Sequence, residues 1–167
     1  MDPRVKTSPA TLEKKFAVET KLASIVSLTS AAVLQAGSLR DQLQKLAEHA
    51  DTAHKDAMEK FQKKLAELLG TASGSPAPPP DQVTLAQVNA QAGTLYAQIW
   101  PADAEPTTSQ MEAIAATQRG RETVMKRWDD FKAADVPALN RELQDAKLPE
   151  LQLRSDLHQE ESQTDEE

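Results

Sequence analysis

The chain contains no cysteine and has few glycines, valines, isoleucines or aromatic residues. Without cysteine it can form no disulfide and has no thiol nucleophile, although both cytosolic and exported locations stay open. Glycine supplies 5 of the 167 residues, aromatic residues 4%, and valine and isoleucine together 11 residues. Because strands favour β-branched and aromatic residues, these shortages argue against a β-rich fold.

Hydrophobic targeting segments are also missing from the sequence. The stretch from Met1 to Lys6 lacks the apolar region of a signal peptide, so we expect none. We expect no membrane span either, because there is no run of about 18 consecutive apolar residues. A mature or excised part of a longer exported protein would have the same features.

Negative charge is concentrated at one end of the chain. Residues 155–167 hold six acidic residues and no lysine or arginine, so the total of −7 minus the −6 of this segment leaves −1 for residues 1–154. Nucleic-acid binding requires a concentrated basic face, so this balance predicts no nucleic-acid partner. We expect residues 155–167 to form a solvated, disordered acidic tail.

Alanine and leucine are the most abundant apolar residues, with 26 and 18 of the 65 apolar positions. Both are good helix formers. A stripe with spacings of three and four residues comprises Leu22, Ile25, Thr29, Ala32, Ala36, Leu39, Leu43, Leu46 and Ala50. This spacing predicts one long helix from Pro9 to about His49, whose stripe faces partner helices and is extended toward the N-terminus by Leu12 and Phe16.

Three further helices follow from similar patterns. Helix 2 should begin near Asp51 or Thr52 and stop at Gly70, before a Pro/Ser/Gly-rich linker over 71–80. Asp81 is the predicted cap of helix 3, whose stripe is Leu85, Val88, Ala92, Leu95 and Ile99.

Helix 4 should begin with a capping box formed by Thr107 and Gln110. We expect it to reach about Asp135 and to be kinked or interrupted at Val136–Pro137. Its predicted apolar positions are Met111, Ile114, Val124 or Met125, Trp128 and Phe131. Residues 148–153 should lie extended against the bundle.

The fold class predicted from these patterns is all-α. The architecture is an elongated antiparallel bundle of about four helices with a long first helix. Residues 1–8 form an extended lead-in, 9–154 the bundle domain and 155–167 the tail.

Few residues suggest a catalytic or metal-binding role. His49 and His54 flank Asp51, but their spacing of five does not match the i,i+4 spacing of helical metal ligands, so we predict no metal and no cofactor. The adjacent carboxylates Asp129 and Asp130 project about 100° apart on a helix and cannot converge on one bond. The similar pair Glu160–Glu161 falls in the predicted tail. We therefore predict no catalytic residue.

Two aromatic positions have a structural and a functional interpretation. Trp128 follows Lys126 and Arg127, but its place on the apolar stripe favours a core residue over a nucleic-acid stacking platform. Tyr96 and Trp100, near the end of helix 3, either pack at the end of the bundle or form a docking spot for a neighbouring domain.

Several segments resemble the helical region that follows the β-propeller in bacterial BNR/Asp-box proteins, the sortilin-like glycosyl hydrolase family. They are Met1–Thr7, the Leu12–Leu22 pattern with Phe16, Leu39–Leu43, Gly93–Tyr96, and Leu139–Leu143 through Leu148–Pro149. The resemblance covers nearly the whole chain. It implies a non-catalytic module of an exported, periplasmic or extracellular protein, with the propeller of the same parent as partner. No Asp-box occurs here, so no catalytic residue is carried over.

We therefore expect a non-enzymatic helical module that gives structural support or docks a partner. The alternative is a free-standing helical adaptor, or a coiled-coil protein that self-associates through the same stripes.

Overall fold

The computed structural model describes residues 9–48, 52–70, 82–102 and 104–153. They form four α-helices: α1 (Pro9–Ala47), α2 (Thr52–Leu69), α3 (Leu85–Ile99) and α4 (Thr108–Asp145). No strand occurs in these four ranges, which confirms the predicted all-α class. α1 has 39 residues and is about 58 Å long at about 1.5 Å per residue, so the bundle is elongated. The predicted lead-in (1–8), linker (71–80) and tail (155–167) lie outside the described residues.

The four helices form three rods, because α2 and α3 run in the same direction one after the other. Phe61 of α2 contacts Phe131 of α4, whereas Val83, just before α3, accepts a hydrogen bond from Arg127. α2, which comes first in the chain, thus contacts a later part of α4, and the segment before α3 contacts an earlier part. Both helices are therefore antiparallel to α4. α3 is also antiparallel to α1, so the three rods alternate in direction. The placement of α2 and α3 in one rod was not predicted.

The core consists mainly of the apolar stripes predicted from the sequence. On α1 the buried side chains are Val18, Leu22, Ile25, Thr29, Ala32, Ala36, Leu39 and Leu43. Leu46 is half-buried, and Ala50 lies outside the described residues. All five stripe residues of α3 are buried. On α4 the buried positions include Ile114, Val124, Trp128 and Phe131, so Val124, and not Met125, takes the core position.

Aromatic contacts join α2 to α4. The rings of Phe61 and Phe131 are 4.7 Å apart between centroids, and Trp128 stacks on Phe131 at 5.8 Å. Trp128 is only 1% exposed, which confirms its assignment to the core. Such ring pairs are worth about 0.5–1.5 kcal/mol beyond the apolar area they bury.

A polar cluster fixes the register between α1 and α3. The Asn89 amide Nδ2 lies within hydrogen-bond distance of the Val26 carbonyl, the Thr29 hydroxyl and the Ser30 hydroxyl, at 2.7–3.2 Å. The Thr29 hydroxyl in turn donates to the Ile25 carbonyl at 2.8 Å. A shift of α3 along α1 would leave the partly buried Asn89 amide without these partners, which is costly.

The start of α3 differs from the prediction. Thr84, and not Asp81, is the cap, since its hydroxyl accepts from the Gln87 amide at 3.3 Å and its amide donates to the Gln87 side chain at 3.1 Å. Thr84 is also fully buried against Gly70, where an added Cβ would come within 2.2 Å of the Thr84 hydroxyl. Gly70 has φ +76°, as the predicted helix stop requires.

Of the two effects predicted for Val136–Pro137, a kink or an interruption of the last helix, the interruption does not occur. α4 continues through Pro137 to Asp145. Proline removes the hydrogen bond to the carbonyl four residues earlier, that of Ala133, but both Pro137 and Ala133 are exposed and water can hydrate the freed carbonyl. Val136 and Leu139 on either side are buried, and their packing keeps the helix continuous.

α1 has the length and composition of a membrane-crossing helix over one 18-residue window. That window has a mean hydropathy of 1.5, and 33% of it is buried in the bundle. The prediction of no such run overlooked it because serines, Thr29 and Gln35 interrupt the apolar residues, although no charge occurs between Lys21 and Arg40. Core helices of soluble proteins and signal sequences meet the same criterion. The absence of a membrane span therefore stays a prediction.

Candidate functional site

The most prominent surface feature of the bundle is a group of exposed apolar side chains at one end. Phe16 is 70% exposed and Trp100 is 63% exposed, while Leu12 and Met111 are exposed by 42% and 46%. We call these four residues the apolar end patch. Folding normally buries residues of this size, since each fully buried side chain contributes about 1.5–3 kcal/mol.

Two polar contacts bring the start of α1 and the connection between α3 and α4 to the same end. The Lys15 ammonium donates to the Trp100 carbonyl at 3.0 Å. The neighbouring Lys14 forms an ion pair with Glu105 at 2.9 Å. Met111 lies in the first turn of α4, directly after this connection. The four patch residues therefore come from three helix ends that meet here.

Three of the patch residues correct the sequence analysis, which assigned Leu12, Phe16 and Met111 to the apolar stripes. The spacing of three and four residues identifies a common face of a helix, but it does not reveal where the facing helix stops. α3 ends at Ile99, and the Lys15–Trp100 contact shows that this end lies level with the second turn of α1. Val18, which was not among the predicted stripe residues, is the first buried residue of α1.

The two residues predicted as a docking spot have different environments. Tyr96 is half-buried and packs against the core, as the structural interpretation expected. Trp100 is the residue after the last turn of α3, and its amide donates to the Tyr96 carbonyl at 2.9 Å. This bond fixes the backbone of Trp100 while its side chain stays exposed. Docking at either residue remains a prediction.

Two ion pairs lie at the same end of the bundle as the patch. Lys15 and Glu19 are 3.5 Å apart and are only 15% and 19% exposed. Lys14 and Glu105 are more exposed, and surface pairs of this kind contribute about 0.2–1 kcal/mol. This end of the bundle thus carries both exposed apolar side chains and paired charges, a combination found in many protein–protein interfaces.

The remaining acidic residues do not converge in the part of the chain that is described. In those ranges no group of three or more His, Asp or Glu residues is placed to hold a metal ion. His49 and Asp51 of the candidate metal group lie outside them, as does the pair Glu160–Glu161. Asp130 pairs with Lys126 at 3.2 Å and Asp129 with Lys132 at 2.9 Å, so these adjacent carboxylates serve separate ion pairs.

The basic residues near Trp128 support the bundle. Arg127 donates to the Val83 carbonyl at 3.0 Å and to the Gln82 side chain at 3.4 Å, which ties the segment before α3 to α4. Lys132 lies 5.6 Å from the Trp128 ring centroid, on the outer side of the core.

An open groove of about 640 Å³ runs along the C-terminal half of α1, beside the end of α2 and the start of α3. Its lining mixes apolar Val33 and Leu34 with Arg40, Asp41 and Lys45. The sequence analysis did not predict this groove, since its lining comes from three helices and not from any motif.

Comparison of the chain with models of known protein families, with curated proteins and with solved structures finds no match in any of the three.

Proposed function

We propose that the chain is a non-catalytic helical module that docks a neighbouring protein domain on the apolar end patch. The observation that carries this proposal is the exposure of Phe16 and Trp100 at the same end of the bundle. Exposed apolar groups with a polar rim are typical of interaction sites. Tryptophan is also among the residues that most often dominate binding energy.

The partner proposed is a β-propeller domain of the same exported parent, and this part rests on the resemblance to BNR/Asp-box proteins alone. In such a parent the propeller precedes residue 1. It would therefore be joined at the end of the bundle where α1 begins, which is the end that carries the patch. A covalently linked domain needs only weak contacts to dock, because the linkage raises its effective concentration to about the millimolar range.

The non-catalytic part of the proposal is supported by the positions of the acidic residues. Glu13, Glu59 and Glu112 all lie on exposed helix faces. Ordinary glycosidases hold two carboxyl groups about 5–10 Å apart across the scissile bond in a shaped site. A panel of fluorogenic glycosides and sialosides, incubated with the purified chain, should give no turnover. Hydrolysis that disappeared in Glu112→Gln or Tyr96→Phe would overturn the assignment.

The docking test starts from the gene. If the reading frame upstream of Met1 encodes a propeller, that domain is purified and titrated with the chain by calorimetry. We expect Trp100→Ala and Phe16→Ala each to weaken binding by about tenfold or more, the loss typical of interface anchors. Leu28→Ala is the matched control, because Leu28 is 44% exposed but lies outside the patch. If the wild type and the three variants bound the propeller domain with equal affinity, docking at the patch would be contradicted.

A free-standing adaptor or coiled-coil oligomer is the second candidate function. It is favoured by the uncharged stretch of α1 between Lys21 and Arg40, on which Leu28 and Leu34 are both exposed. Mass in solution distinguishes the two proposals. A concentration-dependent oligomer that Leu28→Asp dissociates would favour the adaptor, whereas a monomer at all concentrations would favour the module.

A further inference from the structure

The segment after α4 turns back and lies between the C-terminal ends of α1 and α4. Leu151 is its central residue and is 4% exposed. Leu148 packs partly against the core, while Leu153 faces solvent. Residues 148–153 belong to no helix or strand, so this segment, which we call the C-terminal strap, is held by side chains of the rods.

Two side-chain amides hold the strap by its backbone. Asn140 donates to the Leu151 carbonyl at 3.0 Å and accepts from the Leu151 amide at 2.8 Å. Gln42 does the same for Gln152, donating to its carbonyl and accepting from its amide, both at 2.9 Å. Each amide therefore satisfies both backbone groups of one residue, as a neighbouring β-strand would. Backbone groups of this kind are present in every extended peptide.

The selective element of this groove is the pocket for one leucine. The bonds from Asn140 and Gln42 require only a backbone, whereas the buried Leu151 side chain requires an apolar residue at that position. The groove thus combines main-chain recognition with a side-chain pocket, which is the general design of sites that bind extended peptides.

The turn that directs the strap into the groove is strained. α4 ends at Asp145, and Ala146 and Lys147 form the turn, closed by a hydrogen bond from the Leu148 amide to the Leu143 carbonyl at 2.8 Å. Lys147 has φ +57°, a left-handed conformation usually taken by glycine at this position of a helix end. Opening the turn relieves that strain.

We propose that the groove formed by Gln42 and Asn140 is a peptide-binding site for extended, leucine-containing segments, and that it accepts the strap of a second copy of the chain. A strap from another copy would make the same four hydrogen bonds and fill the same leucine pocket. It would do so without the left-handed turn at Lys147. Reciprocal exchange of the two straps then gives a symmetric dimer. This site lies at the end of the bundle opposite the apolar end patch, so it is independent of the docking function proposed above.

The decisive variant is the full chain with Ala146 and Lys147 deleted. Without these two residues the strap cannot turn back onto its own groove, but it can still reach that of another copy. Light scattering should show a dimer whose dissociation constant is more than about tenfold lower than that of any wild-type dimer. The reason is that the chain's own strap, which its tether holds at an effective concentration of about millimolar, no longer competes for the groove. Lys147→Gly is the control, since it keeps the turn length, removes the strain and should not increase dimerisation.

Adding Leu151→Asp to the deleted chain should return it to a monomer, because the strap then no longer fits the leucine pocket. A deleted chain that melts cooperatively and remains monomeric would overturn the proposal.

If the variant that lacks Ala146 and Lys147 fails to fold, a peptide titration tests the proposal instead. The full-length variant Leu151→Asp, whose own strap is displaced, is titrated with the synthetic peptide Leu-Pro-Glu-Leu-Gln-Leu. Saturable NMR shifts of the Gln42 and Asn140 side-chain amides are expected. The Gln42 shifts should be lost in Leu151→Asp/Asn140→Ala, and both sets of shifts should be lost with a peptide that has aspartate in place of the second leucine. The absence of saturable shifts in the parent variant would overturn the proposal.

Discussion

Large apolar side chains are exposed at one end of this bundle and buried at the other. At the end where α1 begins, Phe16 and Trp100 are more than 60% exposed. At the other end Leu151 is 4% exposed, because the C-terminal strap is held against Gln42 and Asn140. We refer to them as the open end and the closed end. An apolar residue at the end of a bundle is buried only where a further segment covers it, and at the open end the described residues provide none.

The largest effect should come from a charge in the core near the closed end. Leu43→Asp places a carboxylate on the buried stripe of α1, where Leu43 is 3% exposed. We expect it to lower the free energy of unfolding by at least about 3 kcal/mol, the range for an uncompensated buried charge. Denaturant unfolding followed by circular dichroism measures this loss. An unchanged midpoint would mean that the stripe faces water.

Removing the leucine that seals the closed end should have the next largest effect. Leu151→Ala empties a buried site and should cost about 2–3 kcal/mol, the lower part of the range for buried leucines. Leu153→Ala is the matched control, since Leu153 lies two residues away but is 38% exposed, and should cost less than about 0.5 kcal/mol. Equal losses in the two variants would show that the strap is not specifically seated.

The open end should tolerate the same kind of change. Phe16→Ala and Trp100→Ala remove large side chains that are mainly exposed, so each should alter stability by no more than about 0.5 kcal/mol. Denaturant unfolding followed by circular dichroism measures the change in stability of each variant. A loss comparable with that of Leu151→Ala would mean that the patch is covered within the chain and is not free for a partner.

Deletion of residues 155–167 should have the smallest effect. The segment is acidic and contains no lysine or arginine, so we predict that its removal changes stability by less than about 0.5 kcal/mol. Thermal unfolding of the truncated and complete chains, compared at low and high salt, tests this. A large, salt-sensitive loss would show that the acidic segment docks on the bundle.

The core was largely predictable from the sequence because it depends on helical periodicity. The stripes of α1 and α3 repeat every three and four residues, and this spacing defines the buried face without further information. The same rule failed at Phe16 and Met111, since periodicity does not reveal how far the facing rod extends.

The cap of α3 could have been predicted better. Thr84 and Gln87 have the same Thr-x-x-Gln spacing as Thr107 and Gln110, where the capping box was predicted and is confirmed. Asp81 follows directly after the prolines, but distance from a linker carries no information about a capping hydrogen bond.

The polar contacts between distant parts of the chain could not be predicted. Asn89 lies 59–63 residues from its partners on α1, and Gln42 lies 110 residues from Gln152. Neither residue belongs to a motif, so only the packed fold reveals these pairs. The candidate site was predicted in part, because Trp100 was identified from its position at a helix end while its neighbours on α1 and α4 were assigned to the core.

The most direct test of docking at the open end is acrylamide quenching of tryptophan fluorescence. The chain has two tryptophans, of which Trp128 is buried and Trp100 is 63% exposed, so quenching of the free chain reports mainly on Trp100. Trp100→Phe isolates the signal of Trp128 as a control. Adding the propeller domain proposed as the partner should protect Trp100 and leave Trp128 unchanged. Strong quenching of Trp100 in a complex shown by calorimetry to be saturated would contradict the proposal that the apolar end patch is the docking surface.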